Sequence, residues 1–133
     1  MRFYDPDEVT DEKFAFAVVL AEYRGKYVFC RRRTRRTWEL PGGHREKNEA
    51  IRMTAARELR EETGAESFTL EPVCAYSVTE KESFGGRETF GFLFYARIGL
   101  LAEELRHEIG ELLFADRLPE ELTWPRIQPR LVR

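Results

Sequence analysis

Residues 43–65 read GHREKNEAIRMTAARELREETGA, and the second half of this stretch predicts a helix. Met53, Ala55, Ala56, Arg57, Glu58, Leu59, Arg60 and Glu61 are mostly good helix formers, and Gly64 stands where a left-handed C-cap would stop them. Ile51, Ala55 and Leu59 recur at four-residue spacing, which makes one apolar stripe to bury. The acids are less ordinary. On a helix Glu58 and Glu62 lie one turn apart, with Glu61 beside them. Each like-charge pair costs roughly 0.2–0.5 kcal/mol, and an acid in the negative last turn costs about 0.3–1 kcal/mol. Arg57 offsets part of this for Glu61. The rest is answered either by a hard, oxygen-preferring cation such as Mg²⁺ or Mn²⁺, or by water over a solvated acidic face.

The whole stretch resembles the Nudix box, the signature of the Nudix hydrolase family. Gly43 is followed by five residues and Glu49. Seven more lead to Arg57-Glu58-Leu59, then one residue, Glu61-Glu62, one residue, and Gly64. The one departure is Ala65, where the family usually carries a larger aliphatic residue, and it leaves the acids in place.

Outward from the box, the rest of the chain reads as strands. Phe14–Ala21 is a continuous apolar run, as expected of a strand buried on both faces. Arg24-Gly25-Lys26 makes a turn, and Tyr27–Arg31 returns. Five arginines then crowd into residues 31–36. They form a solvated face, or Arg31, Arg33 and Arg35, which share one side of an extended strand, reach an anionic substrate. Trp38–Gly43 predicts a short strand running into a rigid Pro-Gly-Gly turn. Glu49 and Arg57 are about two helical turns apart, close enough to brace the box loop. Beyond the box, Ser67–Leu70 and Val73–Glu80 read as two strands, Lys81–Glu88 as a hairpin loop, and Thr89–Ile98 as a long strand with a core of aromatics. Glu103–Glu111 reads as an acidic loop or short helix before strand Leu112–Phe114, and Leu118–Leu122 as the start of a second helix.

A length of 133 residues suits one domain over 1–133 with a single core. A net charge of −2 points neither to nucleic acid nor to anionic membranes. No apolar run is long enough to span a bilayer, and the polar start MRFYDPDEVTDEK is unlike a secretory signal. Cys30 and Cys74 sit in apolar, strand-like runs and read as buried thiols, not as a bridge or a zinc site. The expectation is a cytoplasmic monomer or homodimer.

The resemblance implies an α/β Nudix fold, a mixed sheet sandwiched between helices with the box as loop-helix-loop. It also implies hydrolysis of a nucleoside diphosphate linked to another moiety. By that likeness Glu58, Glu61 and Glu62 hold Mg²⁺ or Mn²⁺ with the Gly42 carbonyl, while Glu58, Glu61 and Arg57 serve the chemistry. Gly43, Glu49 and Gly64 keep the box in shape. Glu58 is the expected general base, with a loop acid, Glu108 or Glu111, as its rival; His107 reads as a surface histidine. Residues 80–84 lack the marker Pro or Tyr of some ADP-ribose and diadenosine polyphosphate enzymes. The nearest likeness in substrate is therefore to MutT-type nucleoside triphosphate pyrophosphatases, including those that remove oxidised guanine nucleotides. The alternatives are another nucleoside diphosphate derivative (ADP-ribose, a dinucleoside polyphosphate or capped RNA) and a Nudix module that senses a nucleotide without cleaving it.

Overall fold

The computed structural model describes residues 2–32, 37–78, 88–102 and 109–116. In chain order these form β1 (Arg2–Tyr4), a single 3-10 turn (Asp11–Lys13), β2 (Phe14–Tyr23), β3 (Lys26–Arg32) and β4 (Gly42–His44). Then come α1 (Ile51–Thr63), β5 (Ala65–Val78), β6 (Thr89–Leu101) and β7 (Ile109–Ala115). The seven strands make one mixed sheet in the order β1-β5-β6-β2-β3-β7, with β4 also paired to β2.

β2 is the centre, as its unbroken apolar run predicts. Ala17, Val19 and Ala21 face α1 and join Val28, Ile51, Ala55, Leu59, Phe92 and Phe94 in one core. Val18 points the opposite way and packs with Phe29, Leu40, Tyr76, Val78 and Leu93 in a second. The alternation is the period of two of an extended chain buried on both faces. The β2–β3 hairpin turns at Arg24 and Gly25, whose φ values of 51° and 82° are the two positive angles that a two-residue type I′ loop demands.

One edge of β2 carries β6 along its length, in parallel. The other edge is split. Phe16–Val18 pair with His44–Gly42 of β4, while Ala21–Tyr23 pair with Val28–Lys26 of β3. At the fork between these two partners the backbones of Cys30 and Glu39 bridge. α1 lies over this side of the sheet, and its buried stripe is the expected Ile51, Ala55 and Leu59, extended by Thr54, Glu62 and Thr63.

Several expectations need correction. The two strands expected over Ser67–Leu70 and from Val73 onward are one among the described residues: β5 runs unbroken from Ala65 to Val78, with an irregularity between Pro72 and Cys74. A register shift is where a proline can sit inside a ladder without a lost donor. The Pro-Gly-Gly segment is not a turn, because Gly42 and Gly43 lie in β4; before it, Trp38 and Glu39 form isolated bridges, that of Glu39 being to Cys30. β6 and β7 are longer than predicted, reaching Leu101 and beginning at Ile109. β1 went unforeseen, since three residues on an edge have no period to read. The expected hairpin loop, apart from Glu88, and the second helix at Leu118–Leu122 lie outside the described residues.

Candidate active site at the split edge of the sheet

The box begins on β4. The ladder with β2 uses the Pro41 carbonyl, which accepts from Val19 N at 2.8 Å, and the Arg45 amide, which donates to Ala15 O at 2.8 Å. Bonded residues alternate in an antiparallel pair, so Gly42 turns its N–H and C=O away from β2. There the Gly42 N–H donates to Glu62 Oε1 at 2.7 Å. The Glu58 carboxylate arrives at the neighbouring residue: a Cβ added to Gly43 would stand 2.5 Å from Glu58 Cδ. On Gly42 the same atom would run into the Ala17 carbonyl oxygen and approach Val18 Cα to 3.0 Å. Glycine is needed at both positions for close approach, to an acid in one case and to the sheet in the other.

α1 presents its acids unequally. Glu62 lies within the buried stripe and Glu58 has a side chain 12% exposed, whereas the Glu61 side chain is 40% exposed. The sequence alone puts the three on one face. The structure sets Glu58 and Glu62 against β4 and leaves Glu61 at the rim. Gly64 closes the helix in the left-handed conformation, φ 77°, and its N–H donates to Arg60 O at 3.0 Å.

Arg57 holds the box loop to the helix. Its Nε and Nη2 donate to the two Glu49 oxygens at 2.8 and 3.0 Å, Nη1 to Glu58 Oε1 at 2.7 Å, and Nη2 to His44 O at 3.1 Å. Glu61 stands 3.6 Å from Nη1, a weaker claim than either neighbour's. Glu49 also accepts from Thr54 Oγ1 at 2.7 Å and from Glu46 N at 3.1 Å. Chiefly through the Arg57 guanidinium, its carboxyl is lowered from 4.5 to about 2, against a smaller opposing effect of burial. The same pairing raises Arg57. Glu49 therefore stays ionised, and the bidentate pair fixes the guanidinium that orients Glu58. This geometry makes Arg57 a positioning residue.

Two parts of the site were not visible in the sequence. Ala50, the N-cap of α1, supplies no side-chain bond; Asp11 Oδ1 accepts from Ile51 N at 3.1 Å instead. Arg45 then ties Asp11 to the box loop, donating to Asp11 O at 2.6 Å and to Glu12 O at 2.6 Å. Glu39, buried beside Cys30 and Glu62, is the second. All these partners are remote in sequence, so no local pattern announces them.

Other expected residues lie elsewhere. Arg31 pairs with Glu111 and stacks over Trp38, its guanidinium 5.4 Å from the ring centroid. Directly paired residues share a face, and the next residue, Leu112, belongs to the helix-side core. Glu111 is thus drawn to Arg31 on the face away from α1, apart from Glu58 and Glu62. Arg33, Arg35, His107 and Glu108 lie outside the described residues. An open concavity of about 560 Å³ beside α1 has Arg52, Arg57, Arg60, Phe68 and Leu70 in its lining, but neither Glu58 nor Glu62.

The donor set suits a hard divalent ion: two carboxylates and a backbone carbonyl directed to the same edge are all oxygen. Comparison with known proteins defines the class. The sequence model of the Nudix domain matches residues 11–127. The chain belongs to the Nudix family. No curated sequence matches the chain at a significant level. Among solved structures, it is similar to the Bacillus subtilis pyrophosphohydrolase BsRppH, with 22% identity, a TM-score of 0.80, and 98% of this chain and 86% of that one covered. A UDP-X diphosphatase gives 22% identity and a TM-score of 0.73, covering 96% of this chain and 63% of that one. The Nudix domain of Shewanella oneidensis NrtR, complexed with ADP ribose, gives 17% and 0.66, covering 95% and 88%. At such identities the likeness is one of fold. No helix among the described residues is long and apolar enough to cross a membrane.

Proposed function

We propose that the chain, as one Nudix domain acting in the cytoplasm as a monomer or homodimer, hydrolyses the diphosphate linkage of a small nucleotide. Its substrate in this reading is a nucleoside triphosphate, cleaved to the monophosphate and pyrophosphate in the manner of MutT-type enzymes. The observation that carries the reading is the convergence of Glu58 and Glu62 on the Gly42–Gly43 strand.

Glu58, Glu61, Glu62 and the Gly42 carbonyl would hold Mg²⁺ or Mn²⁺. When bound, the ion neutralises phosphate oxygens and acidifies water. The Glu58 carboxylate takes a proton from the attacking water as the new P–O bond forms and the bridging P–O bond breaks. Arg57 keeps Glu58 in place while its own charge is matched by Glu49. Glu62 is anchored by the Gly42 amide, so binding costs it little further ordering. Arg31, with Arg33 and Arg35, is assigned to a part of the anionic substrate distant from Glu58 and Glu62, since Arg31 lies on the face away from α1; freeing it requires exchanging Glu111 for an anionic group, a match the planar guanidinium makes well.

The test is a nucleotide panel with Mg²⁺, read by release of phosphate and pyrophosphate, on wild type, Glu58→Gln and Glu62→Gln. Pyrophosphate from triphosphates is expected, with turnover falling about 10²–10⁴-fold in either variant while the fold persists. Cleavage of ADP-ribose, a dinucleoside polyphosphate or capped RNA instead would overturn the substrate and keep the class. Saturable binding with no turnover on any member would mark a sensing module.

A further inference from the structure

Cys30, Glu39 and Glu62 are brought together by register. Cys30 and Glu39 are a directly opposed antiparallel pair that exchanges both backbone hydrogen bonds at 2.9 Å. Such a pair projects its side chains from one face. Glu62 descends onto them from α1, three residues past Leu59 on the buried stripe. Cys30 Sγ and one carboxylate oxygen from each acid all lie within 4.8 Å of one another. The residues are only 0%, 6% and 5% exposed. Cys30 is the buried free thiol that the sequence predicts, and two buried acids stand beside it.

We propose that Cys30, Glu39 and Glu62 form a second cation site, for a thiophilic divalent ion such as Zn²⁺, which shares Glu62 with the Mg²⁺ site of the proposed function. The dimensions suit it. A point equidistant from three atoms 4.8 Å apart lies about 2.8 Å from each, and the donors stand no farther apart than this. Bonds of about 2.3 Å to sulfur and 2.0–2.2 Å to oxygen need only a small inward rotation of the side chains. The donor chemistry separates the two sites. A thiolate selects zinc, cobalt or cadmium, whereas Mg²⁺ demands oxygen in near-octahedral geometry. The Cys30 thiol, whose Sγ lies 3.6 Å from Glu39 O, gives up its proton as the metal–sulfur bond forms.

Sharing Glu62 has a consequence for control. Glu62 Oε1 is held by the Gly42 amide in the arrangement described. A Glu62 oxygen bound to an ion at Cys30 is drawn away from the oxygen set at β4, so zinc inhibits by competing for a shared ligand and not merely by replacing magnesium. That inhibition rests on the hydrolase reading; the site itself does not.

The experiment titrates the metal-free full-length chain with Co²⁺ and reads thiolate-to-cobalt charge-transfer absorption in the near ultraviolet. Wild type should give a saturable band at one equivalent. The band should survive in Cys74→Ala and Glu58→Gln and vanish in Cys30→Ala and Cys30→Ser. Glu39→Gln, which keeps the thiol, should weaken Co²⁺ binding at least about tenfold, since even outer-shell partners are worth about 10–100-fold. Circular dichroism confirms that each variant is folded, and Glu39→Gln decides the matter if both Cys30 variants unfold. In a hydrolysis assay at fixed Mg²⁺, Zn²⁺ should inhibit wild type far more than Cys30→Ser. No thiolate band at saturating Co²⁺, a band that persists without Cys30, or an unchanged affinity in Glu39→Gln overturns the site. A chain that hydrolyses nothing yet shows the Cys30-dependent band refutes the hydrolase reading and leaves the site standing.

Discussion

Replacing Glu49 with Gln tests the brace that holds the box. The native carboxylate accepts two bonds from Arg57, one from Thr54 and one from the Glu46 amide. Its fall from 4.5 to about 2 corresponds to a stabilisation of about 3.5 kcal/mol at neutral pH, at about 1.4 kcal/mol per unit. Arg57 retains Glu58 in the variant and is itself 22% exposed, so about 2 kcal/mol is the realistic loss. The folded value lies below the unfolded one. The contribution is therefore complete above pH 4.5 and disappears as pH falls toward 2. Urea unfolding of wild type and Glu49→Gln at neutral pH, and at steps downward from pH 4.5, should show a gap of about 2 kcal/mol that closes on acidification. A gap below about 0.5 kcal/mol, or one that does not change with pH, would refute the brace.

Gly43→Ala should leave stability nearly intact, because Glu58 can swing aside, but should lower turnover about 10²-fold by displacing that carboxylate; Gly42→Ala meets backbone and should destabilise the fold by about 1–3 kcal/mol. Thermal unfolding beside turnover separates the two, and equal behaviour of both variants would disprove it. Excess Mg²⁺ should stabilise the chain by about 2.7 kcal/mol at a hundredfold excess over its dissociation constant. Glu61→Gln should match or slightly exceed wild-type stability in EDTA and gain less from the ion; an equal gain would remove Glu61 from the metal set. Asp11→Ala should cost about 1 kcal/mol through the lost cap of α1, read by urea unfolding, although Asp11 lies far from the helix in sequence.

What the sequence revealed was local. α1 was legible because its apolar stripe, Arg57, its acids and Gly64 fall within a few turns, and β2 because an unbroken apolar run needs two covered faces. Pro72 misled because a ladder irregularity, invisible to periodicity, accommodates it. Gly42 and Gly43 misled in the same way: glycines suggest a turn, and only the packing of Ala17 and Glu58 shows that they are there for closeness. At the site, the spacing of Glu58, Glu61 and Glu62 showed that acids gather but not that Glu61 stands apart. Glu39 and Asp11 were unreadable, since each acts on a residue that only the closed sheet or the docked helix brings near.

The parallel pairing of β2 with β6 closes a long loop when the chain folds. Phe14 must find Phe90, and α1 with the whole of β5 lies in the loop that this encounter closes. Closing such a loop carries an entropic cost before any contact across it is returned. Hairpins such as β5–β6 can form early, by contrast, because their partners are near in sequence. The fork at β4 rests on β2, and β2 rests on β6, so the carboxylates of α1 depend for their placement on a pairing distant in sequence. A nascent chain stalled before β6 would carry every residue of the box without the strand that backs β2.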